Sequence, residues 1–274
     1  MPVRFAKYEG LGNDFVVIER AELSDVSPAQ AIAWCDRHLG VGADGVLLVD
    51  RASPSMRVIN ADGSVPEMCG NGLRCVVWHL ARVDALPGGD EVVVQTGAGP
   101  HACRLLRGEG GAEVEVAMRA PSLAPADVPV DAAAPLVDAP FLEGLRVTAV
   151  SMGNPHAVTF DDVGARRGSL GPRVQEDARF PEGVNVGFAR PAHAGFELAV
   201  YERGAGWTRA CGTGACAAAV AAVETGRAER HAPLPIHLPG GTLTITVGAP
   251  GEPVMMRGPA RHVFDGVLDD AADR

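Results

Sequence analysis

Short apolar runs rich in β-branched residues, separated by glycine-containing turns, dominate the chain and predict strands. In the first half these are VRFAKYEG (3–10), DFVVIE (14–19), GVLLVD (45–50), MRVINADG (56–63), EVVVQTG (91–97) and AEVEVAM (112–118). In the second half they are VTAVSMG (147–153), HAVTF (156–160), VNVGFA (184–189), FELAVYERG (196–204), PIHLPG (235–240) and TLTITVG (242–248). Helices are predicted over 28–39, 71–83 and 212–226. Leu73, Val76, Val77 and Leu80 follow the i, i+3, i+4, i+7 spacing of one buried face. The last helix is alanine and valine on every side, which predicts a buried helix approached closely by the strands around it.

The pattern repeats. CGNG begins at Cys69 and CGTG at Cys211, each followed by an apolar helical stretch. GNDF places Asn13 ahead of Cys69, and GNPH places Asn154 ahead of Cys211 at an interval only one residue longer. Gly99 and Gly241 follow their respective cysteines at identical intervals, and MRAP and MRGP begin at Met118 and Met256. Four matches in one order at nearly constant spacing predict an internal duplication. Between the copies, residues 120–140 carry Pro121, Pro125, Pro129, Pro135 and Pro140, a composition for an extended crossover. The expectation is an α+β chain of two pseudo-symmetric lobes, each a mostly antiparallel sheet or barrel around a central helix. The lobes are 1–120 and 121–261, with a C-terminal strand over 262–274 completing the first and the active site in the cleft between them.

Composition narrows the chemistry. A formal net charge of −10 without clustered arginines argues against nucleic-acid or anionic-membrane partners, which need a basic face. No apolar run reaches the roughly 20 residues of a membrane span, and the first residues lack a signal-peptide core, so a cytoplasmic protein is expected. There, Cys35, Cys69, Cys75, Cys103, Cys211 and Cys216 should be thiols. None forms a CxxC pair and no histidine stands beside them at ligand spacing, so no metal is expected. Lys7 is the only lysine and opens the first strand, a poor place for a pyridoxal phosphate Schiff base. No phosphate-cradling glycine loop is present either. The chemistry is expected to come from side chains, without a cofactor.

Cys69 and Cys211 are the candidates. Each precedes Gly-X-Gly at a helix start, where exposed N–H groups and partial positive charge bind a carboxylate and favour a thiolate. One such site would suit a cysteine hydrolase. Two, at equivalent places in duplicated lobes, suit stereoinversion: one thiolate removes the α-proton and the opposing thiol delivers another to the other face. Cys35, Cys75, Cys103 and Cys216 read as small buried hydrophobes. Trp34, Trp78 and Trp207 read as packing or surface residues, and Asp14 and Asp62 as turn or capping residues.

NADGSVPEMCGNGLRC (60–75) resembles the signature of the diaminopimelate epimerase family, and GLGNDF, GNPHAV, GVNVGF and ERGAGWTRACGTGACA resemble its other blocks in family order. The resemblance covers essentially the whole chain. It implies cofactor-independent interconversion of LL- and meso-diaminopimelate on the route to lysine and peptidoglycan, by a cytoplasmic homodimer. It casts Cys69 as the base towards the LL isomer and Cys211 as the acid. It also implies side-chain contacts to substrate from Asn13, Asn60, Asn154, Asn185, Glu202 and Arg203, and helix-terminus contacts from Gly70, Asn71, Gly212 and Thr213. His156 is implied as a supporting group behind them. Where the family sometimes carries glutamine, this chain has Gly45, so no side-chain contact is expected there. Proline racemases, which tend towards histidine where this chain has Asn71, are the nearest rival. A phenazine-biosynthesis-type isomerase and a non-catalytic redox sensor are the others.

Overall fold

Each run read as a strand forms one in the computed structural model, which describes residues 2–83, 86, 91–108 and 111–268. The chain divides into two units, one running to Val116 and resuming at Arg257, the other spanning Ala117–Met256.

The first unit contains β1 (Val3–Gly10), β2 (Asn13–Glu19), α1 (Pro28–Cys35), β3 (Gly45–Asp50), β4 (Ser55–Asn60), α2 (Gly70–Arg82), β5 (Glu91–Thr96), β6 (Gly99–Gly108) and β7 (Gly111–Ala117). β1 pairs with β2, β3 with β4 and β5 with β6 antiparallel, whereas β2–β3 and β4–β5 are parallel, each bridged by a helix. α1 starts on a capping box: Ser27 Oγ accepts from Gln30 N, and Gln30 Oε1 accepts from Ser27 N at 2.9 Å. It stops at Cys35 rather than residue 39, because Asp36 turns its carboxylate onto the N–H groups of His38 and Leu39, each at 2.7 Å. That local bond competes with the helical ladder and wins. α2 packs against β1 to β6. Its buried Leu73, Val76, Val77 and Leu80 contribute roughly 1.5–3 kcal/mol each.

The second unit contains β8 (Ala139–Pro140), β9 (Arg146–Ser151), β10 (Pro155–Thr159), α3 (Arg167–Gln175), β11 (Asn185–Pro191), β12 (Phe196–Glu202), β13 (Gly206–Trp207), α4 (Gly212–Glu224), β14 (Leu234–Leu238) and β15 (Gly241–Thr246). From β9 to β15 the pairing alternates antiparallel and parallel in the same sequence as from β1 to β6, with β13 a short addition on β12. α3 and α4 take the places of α1 and α2, so one plan is used twice. α4 is buried from Gly214 to Ala222. Its alanines let β9, β10, β11, β12, β14 and β15 pack against it. Residues 120–140 form turns rather than a helix, yet Val128 and Val130 enter the core with Leu170, Val174 and Phe180.

β16 (Met255–Leu268) carries the chain back to the first unit, which it enters at Arg257. It pairs antiparallel with β1, from Val3↔Leu268 to Glu9↔Arg261, and lies next to β7. This closes an eight-stranded barrel in the order β1-β2-β3-β4-β5-β6-β7-β16. The returning strand thus begins before residue 262; the part expected over 269–274 lies outside the described residues.

Candidate active site

Cys69 is the N-cap of α2 and Cys211 the N-cap of α4, both in extended backbone (φ −137°, ψ 113° and φ −126°, ψ 104°). Neither helix start shows a side-chain cap hydrogen bond, and the first-turn N–H groups of such a helix start suit an anion. The glycines behind the cysteines sit in close quarters. A Cβ on Gly72 would lie 3.0 Å from Leu47 Cδ2, and one on Gly214 would lie 3.1 Å from both Cys211 Sγ and Val200 Cγ2.

Around Cys69 the amides are ordered. Asn13 donates from Nδ2 to Asp44 Oδ2 at 2.8 Å, and its Oδ1 accepts from Asn71 Nδ2 at 3.1 Å. The same oxygen receives a long contact of 3.9 Å from Cys69 Sγ. Asn71 Oδ1 accepts from Arg74 Nη2 at 2.9 Å, and Arg74, wholly buried, also donates to the carbonyls of Gly70 and Pro259. Asn60 gives Nδ2 to Ser64 Oγ at 2.9 Å, in a turn capped by Asp62. Asp44 Oδ1 and Asp14 share Arg37. Burial alone would raise the Asp14 carboxyl, but hydrogen bonds from Arg37 and Lys7 hold it below the usual carboxylate range. Lys7, the lone lysine, is buried in this ion pair at 2.6 Å.

Around Cys211 the groups carry charge. Its Sγ donates to Glu202 Oε2 at 3.1 Å, and Thr208 Oγ1 donates to Glu202 Oε1. Burial first, and then the Glu202 carboxylate, push the Cys211 thiol well above its ordinary range. Thr213 Oγ1 is 3.7 Å from the sulfur and 3.3 Å from Asn154 Nδ2, and Asn154 Oδ1 meets His156 Nε2 at 3.0 Å. His156 is buried and its pKa is pushed down to about 3, mainly by burial and further by the Arg203 charge. Asn185 makes two internal bonds: Nδ2 donates to Pro155 O at 3.0 Å and Oδ1 accepts from Arg203 N at 2.8 Å, which leaves one N–H and one lone pair of its amide. Arg203 itself reaches Glu182 O at 2.7 Å.

The first unit therefore brings Asn13, Gly70 and Asn71 to Cys69, while Asn60 bonds to Ser64; the second brings Glu202, Thr213, Asn154 and His156 into one hydrogen-bonded network with Cys211. Gly212, behind Cys211, has a Cβ position 3.1 Å from Met256 Sδ. Sequence reasoning missed Asp44, Arg74 and Thr208, although Arg74 and Thr208 lie inside the NADGSVPEMCGNGLRC and ERGAGWTRACGTGACA blocks and Asp44 directly precedes Gly45. Gly45 has a physical cause: a Cβ there would lie 2.8 Å from Ile59 O. Cys35, Cys75, Cys103 and Cys216 are buried, and burial raises the first to about 11 and Cys103 to about 12. Among the described residues no helix is long and apolar enough to cross a membrane.

A family model described as diaminopimelate epimerase matches residues 5–123 and 148–263. The chain is 43% identical to the diaminopimelate epimerase of Cyanothece sp. (strain PCC 7425 / ATCC 29141), covering 98% of this chain and 100% of that one. It is also 43% identical to the diaminopimelate epimerase of Pseudomonas fluorescens, over 97% and 99% of the two chains. Among solved structures it resembles a Bacillus anthracis phenazine biosynthesis protein of the PhzF family, with TM-score 0.73, 15% identity and coverage of 98% and 99%. It also resembles a probable proline racemase from Agrobacterium radiobacter K84, with TM-score 0.69, 16% identity and coverage of 99% and 94%. At those identities the two structures establish the fold, while the sequence matches, spanning both cysteine blocks, establish that the chain belongs to the diaminopimelate epimerase family.

Proposed function

We propose that this isomerase interconverts LL- and meso-diaminopimelate without a cofactor, using Cys69 and Cys211 as the two acid–base groups. The observation that carries the reading is the duplicated placement of a cysteine at the uncapped N-terminus of each unit's central helix. In the LL-to-meso direction the Cys69 thiolate takes the α-hydrogen as a proton, leaving the electron pair on the α-carbon. The Cys211 S–H then delivers a proton to the opposite face. One thiolate and one thiol are exchanged, and the return reaction runs with the roles reversed. Cys211 suits the acid role because its buried thiol is hydrogen-bonded to Glu202. First-turn N–H groups of Gly70 and Asn71, and of Gly212 and Thr213, suit the α-carboxylate and the negative charge that builds beside it. Asn13, Asn60, Asn154, Asn185, Glu202 and Arg203 are the proposed contacts to the remaining ammonium and carboxylate groups, with His156 steadying Asn154.

The product would feed lysine and peptidoglycan precursors. Two working thiols suit the reducing cytoplasm. A homodimer is proposed as well; Val263, Phe264 and Val267 leave apolar surface exposed on β16. Light scattering that returns a monomer mass would overturn the dimer.

The deciding experiment is exchange of the α-hydrogen of LL-diaminopimelate with deuterium from solvent. Reduced protein should exchange and epimerise it, and Cys69→Ala and Cys211→Ala should each nearly abolish inversion. Absence of exchange sinks the reaction. Equal action on proline sinks the substrate, and near-normal epimerisation by either variant sinks the two-thiol mechanism.

A further inference from the structure

Two side-chain amides next to Cys69 are strung between a group that can only donate and a group that can only accept. Arg74 Nη2 donates to Asn71 Oδ1, Asn71 Nδ2 donates to Asn13 Oδ1, and Asn13 Nδ2 donates to Asp44 Oδ2. An amide in isolation can flip end for end and exchange its donor for its acceptor. Here it cannot. A guanidinium offers no acceptor, so Asn71 must face it with oxygen; an ionised carboxylate offers no donor, so Asn13 must face it with nitrogen. The two constraints agree in the middle, where Asn71 nitrogen meets Asn13 oxygen. The geometry points to Arg74 and Asp44 as positioning residues that lock the Asn13 carbonyl oxygen, rather than its NH2, towards the Cys69 sulfur.

The lock has a chemical consequence. The oxygen facing Cys69 accepts from an S–H and disfavours a thiolate, whereas an NH2 in its place would favour one. It therefore raises the proton affinity of the thiol and gives the neighbouring space an acceptor suited to a substrate ammonium. The second unit has no such pair of ends: Asn154 lies between Thr213 and His156, each able to donate or accept. Asp44 also takes Asp14 N on the same oxygen as Asn13, and Arg37 on the other. A neutral amide at position 44 can satisfy only one of those sides as an acceptor. Asp44 lies at the partly exposed end of the chain, so Asp44→Asn tests the lock with less risk to folding than any change at buried Arg74.

The inference rests on Cys69 as an acid–base group, and its test is a double-mutant cycle of Asp44→Asn with Asn13→Ala. Iodoacetamide alkylation of Cys69 is followed by peptide mass against pH in the parent, both single variants and the double variant. Asp44→Asn is expected to lower the midpoint of the alkylation profile by about one pH unit in the parent, and to leave it unmoved in the Asn13→Ala background. The acid limb of the pH profile of kcat/KM for α-hydrogen exchange from LL-diaminopimelate should move down by about one unit with Asp44→Asn alone, in step with the alkylation midpoint, and stay in place when Asn13 is already alanine. Mere removal of a nearby charge would shift the profile equally in both backgrounds, and that result overturns the lock. So does an unshifted profile in both Asp44→Asn and Asp44→Ala, the second of which leaves Asn13 no acceptor at position 44. Alkylation needs no turnover, so it decides the matter even if the proposed epimerisation fails.

Discussion

Cys211 and Glu202, nine residues apart in sequence, meet at 3.1 Å between Sγ and Oε2, while Thr208 holds the other carboxylate oxygen. Asn60, at the equivalent offset from Cys69, instead donates to Ser64. The duplicated halves have thus diverged into one thiol beside a charge and one beside neutral amides.

Glu202→Gln removes the charge that, after burial, raises the Cys211 thiol. The alkylation rate of Cys211 at pH 7 should rise about tenfold, the effect of lowering the thiol by one unit. On the proposed mechanism LL-to-meso turnover should fall, because Cys211, the proposed acid, loses its proton more readily. An unchanged alkylation rate would show that the carboxylate does not control this thiol.

His156 makes stability pH-dependent. Its folded pKa of about 3 lies below the unfolded value of about 6.5. Across that window the unfolded chain binds more protons, so this contribution is complete above 6.5 and is lost as pH falls towards 3. His79, also lowered by burial, acts in the same direction, so the comparison must be with a variant. Between pH 7 and 5, His156→Gln should lose about 2 kcal/mol less than the parent, measured by urea unfolding. Parallel losses would contradict a neutral buried imidazole.

Cys75 is wholly buried six residues beyond Cys69. Cys75→Ala should cost about 1 kcal/mol through the small void it leaves, with epimerisation within about twofold of the parent. A collapse of activity with intact folding would move Cys75 into the catalytic machinery.

Gly45 pairs with Asn60 across β3 and β4, and a Cβ there would lie 2.8 Å from Ile59 O. Both Gly45→Ala and Gly45→Gln should destabilise the protein by about 1–3 kcal/mol, since the obstructing atom is backbone. Denaturant unfolding decides it. A stabilised Gly45→Gln would mean that the strand gives way and that a glutamine contact is available.

The duplication, nearly all the strands, three helices and the two cysteines at helix starts were legible in the sequence alone. Those features are local: apolar spacing, glycine turns and helix-start chemistry act within a few residues. The rest came from long-range packing. β6 escaped notice because its inward positions include His101 and Cys103 rather than an apolar run. α3 was not among the predicted helices: it contains Gly171 and Pro172, both poor in a helix interior, yet Gly171 is helical where a Cβ would lie 3.0 Å from the Tyr201 ring. β16 could be read as a strand, but only pairing with β1 made it part of the first unit. Asp44, Arg74 and Thr208 act through hydrogen bonds to Asn13, Asn71 and Glu202. A motif names those residues; only the folded chain sets which side of each amide faces a thiol, because a hydrogen bond's direction depends on every partner along its chain.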